Sequence, residues 1–310
     1  MSRTPAISLS SFVPGSHSPI VPNDPPPRPV PHTATYYWYG EIKRGVTTQR
    51  DPRLPARVAA AGVSVYSSKD LYSWRDEGAA LVADVANPNS DISADAVIER
   101  PKVLYSRAND EYVMWFHVDD AAYRAARLGV AVSRTPVGPF TYLGSERPHG
   151  SEESRDFTVW QDPDPSHDAD SEHGSRADEK MAGAAAGGVW SGDGIGGGFG
   201  RGPAYLLYSS EGNAVMHVAR LTPDLRRWAP AFERILVGQF REAPAVFKRA
   251  GLYYLLTSGC SGWRPNPQEV HVASAMMGAE WFPLGEERTV RSVRRPTNLP
   301  NSPPSRVDTV

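Results

Sequence analysis

Apolar and polar positions along the chain follow the two-residue period of β-strands almost throughout. Runs of four to eight β-branched and aromatic residues recur, bounded by Gly, Pro, Asn, Asp and Ser. The runs also come in a fixed order. "YYWYGE" (36–41) precedes "GVSVYSSKDLYSW" (62–74), and "YVMWFH" (112–117) precedes "GVAVSRTPVGPF" (129–140). "AYLLYSSE" (204–211) precedes "MHVARLTPDLRRW" (216–228), and "LYYLLTSG" (252–259) precedes "VHVASAMMGAEW" (270–281). Each copy has an aromatic strand, a loop, an alternating strand, a turn containing Ser or Thr, and a further aromatic. Four copies of a unit that cannot bury both its faces alone predict an all-β propeller, each unit a blade. The sequence expectation is five blades, with the first and last supplied incompletely by the ends of the chain. In 62–74 and 216–228 an Asp-Leu pair is followed three residues later by a tryptophan, Trp74 and Trp228, whose expected place is the core between blades.

Three segments break the pattern. Residues 1–33 are rich in Pro and Ser and end in "NDPPPRPVP", which predicts an extended, disordered segment outside the core. The propeller domain is expected over 34–287, interrupted at 163–203 by an insertion that begins acidic and becomes half glycine over 183–202. The glycines lack the Lys-Ser/Thr pair and the strand–turn–helix setting of a phosphate loop. Residues 288–310 form a basic, proline-punctuated tail.

Within the repeat, two stretches share a frame. "IERPKV" places Glu99, Pro101 and Val103 at the same spacing as Glu242, Pro244 and Val246 in "REAPAV". In a propeller the innermost strand of each blade begins near one mouth of the central channel. Two glutamates heading such strands would face one pocket, where paired carboxyl groups can divide the acid and supporting roles of glycoside hydrolysis. The same spacing equally suits two surface ion pairs, Glu99 with Arg100 or Lys102 and Glu242 with Arg241. Glu41, Tyr123, Asp156, Glu211 and Asn213 fall at similar strand ends, and Trp263 in "GCSGWRPN" could offer a stacking face to a sugar. Each of these also suits a turn, a cap or the core. His117, His217 and His271 lie on strands without metal-ligand spacing, so no metal and no cofactor are expected.

Composition adds limits. A net charge of -2 over 310 residues gives no electrostatic footprint for nucleic acid or an anionic membrane. Cys260, the one cysteine, leaves no internal disulfide, so the fold rests on packing. A monomer acting on a polysaccharide or oligosaccharide is the expectation, with localisation left open.

"ARVAAAGVSVYSSKDLYSW", "IERPKVLYS…YVMWFHVDDAAY", "GPFTYLGSERPHGSEESRDFTVWQD", "AYLLYSSEGNAVMHVARLT" and "ILVGQFREAPAVFK…YYLLTSGCSGWRPN" resemble glycoside hydrolase family 43, and within it the exo-β-1,3-galactanase-like branch. The resemblance implies a five-bladed propeller that hydrolyses O-glycosidic bonds of a β-1,3-galactan-like or related plant-type polysaccharide with inversion. It implies Glu242 as general acid and Glu99 as the second carboxylate, tuning the acid and orienting the sugar. Glu41, Tyr123, Asp156, Glu211 and Asn213 would be sugar contacts. Two features of that branch are not found: a His-Gly-Gly-Gly segment before "YYWYGE", where "PVPHTA" stands, and the glutamine-bearing last-blade strand placed near the attacking water. Alternative readings are a carbohydrate-binding propeller with impaired catalysis, or a protein-interaction propeller in which the glutamates are structural.

Overall fold

The computed structural model describes residues 21–22, 35–43, 60–150, 153–163, 202–261 and 266–284. They form four four-stranded antiparallel sheets. The first joins β1 (Val21–Pro22), β2 (Tyr36–Lys43), β3 (Ala60–Ser68) and β4 (Arg75–Val82). The second joins β5 (Val97–Ser106), β6 (Glu111–Asp119), β7 (Arg127–Ser133) and β8 (Thr141–Glu146). The third runs β9 (Phe157–Gln161), β10 (Ala204–Ser210), β11 (Val215–Leu221), β12 (Trp228–Ile235), and the fourth β13 (Arg241–Arg249), β14 (Leu252–Gly259), β15 (Gln268–Ala273), β16 (Phe282–Pro283). Each sheet is a blade, ordered from its inner strand outward, and β9 packs against both β5 and β13.

The four repeat copies read from the sequence are the second and third strands of the four blades. The architecture therefore differs from the expectation in number: four blades, not five, lie among the described residues. Within the N-terminal segment Val21 and Pro22 form β1 and pair with Tyr37 and Tyr36.

Burial explains the cohesion of the blades. Three apolar clusters lie one between each pair of successive blades. Tyr39, Val65, Phe140 and Met114 belong to the first, Trp115, Leu128, Phe157 and Tyr208 to the second, and Leu207, Val218, Tyr253 and Trp281 to the third. Burial of one such side chain is worth about 1.5–3 kcal/mol. Close packing leaves no room at Gly129, where a Cβ would lie 2.5 Å from the Phe116 ring on the neighbouring strand.

The Asp-Leu-Trp frames recur as a turn. Asp70 accepts from the backbone N–H of Ser73 at 2.7 Å, and Asp224 accepts from that of Arg226 at 3.2 Å. The leucine after each aspartate, Leu71 or Leu225, is left-handed (φ 64° and 61°). Trp228 packs between blades two and three against Trp115, as the sequence reading expects. Trp74 instead stacks edge-on to Trp38 of its own blade.

The insertion lies mostly outside the described residues. Its two ends meet beside the far ends of β9 and β10, where Asp162 N–H donates to Pro203 O and Gly202 N–H donates to Asp162 O, both at 2.9 Å. Beneath that junction, fully buried Asp162 accepts from Lys248 Nζ at 2.9 Å and from the Tyr253 hydroxyl at 2.5 Å.

Candidate active site

The opposite ends of the inner strands hold the candidate site residues. Glu99 lies in β5 and Glu242 in β13, and both strands break register just after the glutamate, between Glu99 and Lys102 and between Glu242 and Ala245. The shared Glu-x-Pro-x-Val frame is thus a shared bulge. An extra residue there re-aims the preceding side chain, and proline after it removes a donor the broken ladder could not satisfy. Asp156 sits immediately before β9, which runs between these two strands.

The surroundings of the two glutamates differ. Glu99 is 3% exposed. Its Oε1 accepts from the Tyr123 hydroxyl at 2.9 Å and lies 3.4 Å from Lys43 Nζ, while Oε2 accepts from Arg100 Nη1 at 2.7 Å. Burial alone would raise its pKa, but the Arg100 and Lys43 charges, with His117 and the Tyr123 hydroxyl, hold it at about 2. Glu242 is half-buried. Its expected surface partner Arg241 turns to Thr257 and to Glu269 Oε1, 2.8 Å away. Of the two surface pairs the spacing allowed, Glu99–Arg100 forms, but it is buried.

A charge network extends from Glu99 across three blades. Lys43 pairs with Glu41, and Glu41 Oε1 accepts from the backbone N–H of Arg100 at 2.7 Å. Arg100 Nη2 reaches Asp156 Oδ1 at 2.7 Å, and Asp156 Oδ2 accepts from the backbone N–H of Ala243 at 3.0 Å. Burial works against the Arg100 cation, but Asp156, Glu99 and Glu41 outweigh it and keep it charged. Lys102, buried behind this group, is pushed down to about 7 by burial and by the Arg100 charge. Its Nζ donates to Arg100 O at 3.4 Å and lies 5.8 Å from the centre of the Phe157 ring.

The other candidates distribute as follows. Tyr123, Glu41 and Asp156 join Glu99 in one cluster. Glu211 lies in the β10–β11 turn, with its carboxylate held by Arg234 (2.7 and 2.5 Å) and by His217 Nε2 (2.9 Å). Asn213 is on the same turn. The Cys260 thiol donates to Phe240 O at 3.1 Å, and burial with the Glu242 and Asp156 charges pushes its pKa up to about 11. Trp263 lies outside the described residues. His117 hydrogen-bonds Asp119 at 3.0 Å and His271 approaches Gln239 at 3.2 Å. Among the described residues no group of three or more His, Cys, Asp or Glu is disposed to hold a metal.

Sequence reasoning named Arg100 and Lys102 only as surface partners and Cys260 only as the lone cysteine, and it did not name Lys43. Lys43 had a usable signal, because it stands two residues after Glu41 and so on the same face of β2.

No family model and no curated protein matches the chain. Solved structures do. A family 43 β-1,3-galactosidase, BT0265, is 31% identical, with a TM-score of 0.60 over 82% of this chain and 44% of its own. The exo-β-1,3-galactanase of Phanerochaete chrysosporium, solved with β-1,3-galactotriose, is 32% identical, with a TM-score of 0.59 over 82% of this chain and 47% of its own. A second family 43 β-1,3-galactosidase, BT3683, solved with galactodeoxynojirimycin, is 28% identical, with a TM-score of 0.62 over 82% of this chain and 74% of its own. This chain spans less than half the length of the first two.

Proposed function

This chain carries the propeller of glycoside hydrolase family 43, of the exo-β-1,3-galactanase-like kind, and from that premise we propose that it hydrolyses O-glycosidic bonds of a β-1,3-galactan or a related polysaccharide. The observation that carries the reading is the unequal environment of the paired glutamates. Glu99, buried against Arg100 and Lys43 and held at about 2, stays ionised at any working pH and has no proton to give. That leaves Glu242, at the matching bulge of β13, as the proposed donor.

In the proposed reaction Glu242 protonates the glycosidic oxygen as its bond to the anomeric carbon breaks. Water adds to that carbon from the opposite face and releases a proton to solvent, from which Glu242 is reprotonated, so the product is inverted. Glu99 supplies fixed negative charge near the developing oxocarbenium ion and, with Tyr123, holds sugar hydroxyls. Glu41 and Asp156 border the same space, and Asn213, on the β10–β11 turn, is assigned to its rim. Glu211, like Glu99, has its carboxylate already engaged, here by Arg234 and His217. A fifth blade would fit between the fourth and first, a junction at which no apolar cluster lies among the described residues.

The test is reducing-sugar release from β-1,3-galactan, with the anomer followed by NMR. The wild-type chain is expected to release the inverted product, and Glu242→Gln to lose at least 100-fold, roughly the share expected of general acid catalysis. Galacto-oligosaccharide binding without turnover would instead mark a sugar-binding propeller, and absence of both would reject the reading.

A further inference from the structure

The two bulges are held by the same device. The residue after each glutamate is left-handed, Arg100 at φ 54° and Ala243 at φ 53°. Neither is glycine, so each conformation costs about 1 kcal/mol or more and persists only where its surroundings fix it. In each case the freed N–H at the bulge is captured by a carboxylate from the preceding blade: Arg100 N–H by Glu41, Ala243 N–H by Asp156. The symmetry ends at the side chains. Alanine has nothing to hold a neighbour with, whereas the Arg100 guanidinium donates to Glu99 Oε2 and to Asp156 Oδ1, both at 2.7 Å.

We infer that Arg100 is a positioning residue for Glu242. It holds Asp156, Asp156 holds the Ala243 N–H, and that hydrogen bond fixes the bulge that aims the Glu242 side chain. Both oxygens of Asp156 are engaged, one by each partner, so a loss at Arg100 is passed on as freedom at Ala243. Charge-assisted bonds on a planar guanidinium suit this task, because two donors in one fork set the angle as well as the distance. Lysine, with a single nitrogen, can satisfy one carboxylate at this distance but not fix both. The role rests on Glu242 being the proton donor, and the experiment separates the two.

The measurement is hydrogen exchange of the backbone around Ala243 in the full chain, set beside kcat and KM on β-1,3-galactan. In Arg100→Met the Ala243 amide is expected to exchange about tenfold faster, as for loss of one well-placed hydrogen bond. The value of kcat is expected to fall on the order of 100-fold, as for a reacting group displaced by about 1 Å, with KM changed only a few-fold. Arg100→Lys should recover part of the kcat loss. Asp156→Ala, which breaks the same link from the other side, should give the same exchange gain, and it carries the test if Arg100→Met does not fold. Arg226→Met, which cuts a comparable arginine–carboxylate pair to Glu111 elsewhere, should leave Ala243 exchange unchanged. Wild-type exchange at Ala243 in both Arg100→Met and Asp156→Ala would overturn the inference, as would a raised KM with kcat intact. Faster exchange in a chain that turns over no galactan would keep the positioning role and reject the galactanase reading.

Discussion

Replacing Glu99 by glutamine tests the electrostatic core of the site. The amide has nearly the shape of the acid and imitates its protonated form, so the cost of the substitution follows from the ionisation of the native group. Glu99 falls from an ordinary 4.5 to about 2 in the folded chain. At about 1.4 kcal/mol per pH unit, this corresponds to about 3 kcal/mol of stability that exists only while Glu99 is ionised. A folded-state pKa below the unfolded one gives stability that is complete above 4.5 and is lost as pH falls through 2. Glu99→Gln should therefore be about 3 kcal/mol less stable than wild type at pH 7 and at pH 5. The gap should fall to about half near pH 3 and close near pH 2. An exposed ion pair would give at most about 1 kcal/mol. The larger figure reflects Arg100 and Lys43 left facing a neutral group in a site where Glu99 is only 3% exposed. Urea unfolding followed by tryptophan fluorescence across this pH range is the assay. Equal stabilities at pH 7, or a gap that does not shrink between pH 5 and pH 3, would refute the reasoning.

Three further outcomes can be checked with the same folded protein. Removing 164–201 and joining the ends with a short turn should leave folding and any Glu242-dependent hydrolysis intact, since the junction at Asp162 lies about 20 Å along β9 from Asp156; loss of turnover in a folded deletion would contradict this. Gly129→Ala should cost about 1–3 kcal/mol in urea unfolding, because the new methyl meets Phe116 at 2.5 Å and Val118 at 2.8 Å, and an unchanged midpoint would show the strand pair can open. For Lys102, a folded pKa of about 7 against 10.5 means the folded chain binds fewer protons between those values, so its contribution to stability rises with pH across that window. Lys102→Met should accordingly be more stable than wild type at pH 6, with the advantage narrowing toward pH 10; an advantage that is independent of pH would place the lysine elsewhere.

The sequence by itself determined the strands and their grouping. Alternation of apolar and polar residues is a local property, so "YYWYGE", "YVMWFH", "AYLLYSSE" and "LYYLLTSG" could be recognised as equivalent before any contact between them was known. The doubled Glu-x-Pro-x-Val frame was legible for the same reason, and its proline marks a place where the ladder cannot continue. The number of blades was not fixed in this way. The short strand at Val21–Pro22 has no periodicity of its own and exists through its pairing with Tyr36 and Tyr37.

Tertiary structure alone decided what the charges do. Spacing offered Glu99 and Arg100 as a surface pair, and nothing local distinguishes that from a buried one. Burial came from the packing of blades two and three around β5 and β9, and it turned an ordinary neighbour contact into a guanidinium shared between Glu99 and Asp156, 57 positions apart. The same holds for Glu41, which meets Arg100 across 59 positions, and for Asp156, which meets Ala243 across 87. Hydrogen bonds at such separations depend on how blades are stacked, and the stacking depends on the summed burial of side chains along every strand. A local pattern can thus nominate a carboxylate, but only the assembled propeller decides which carboxylate is kept ionised.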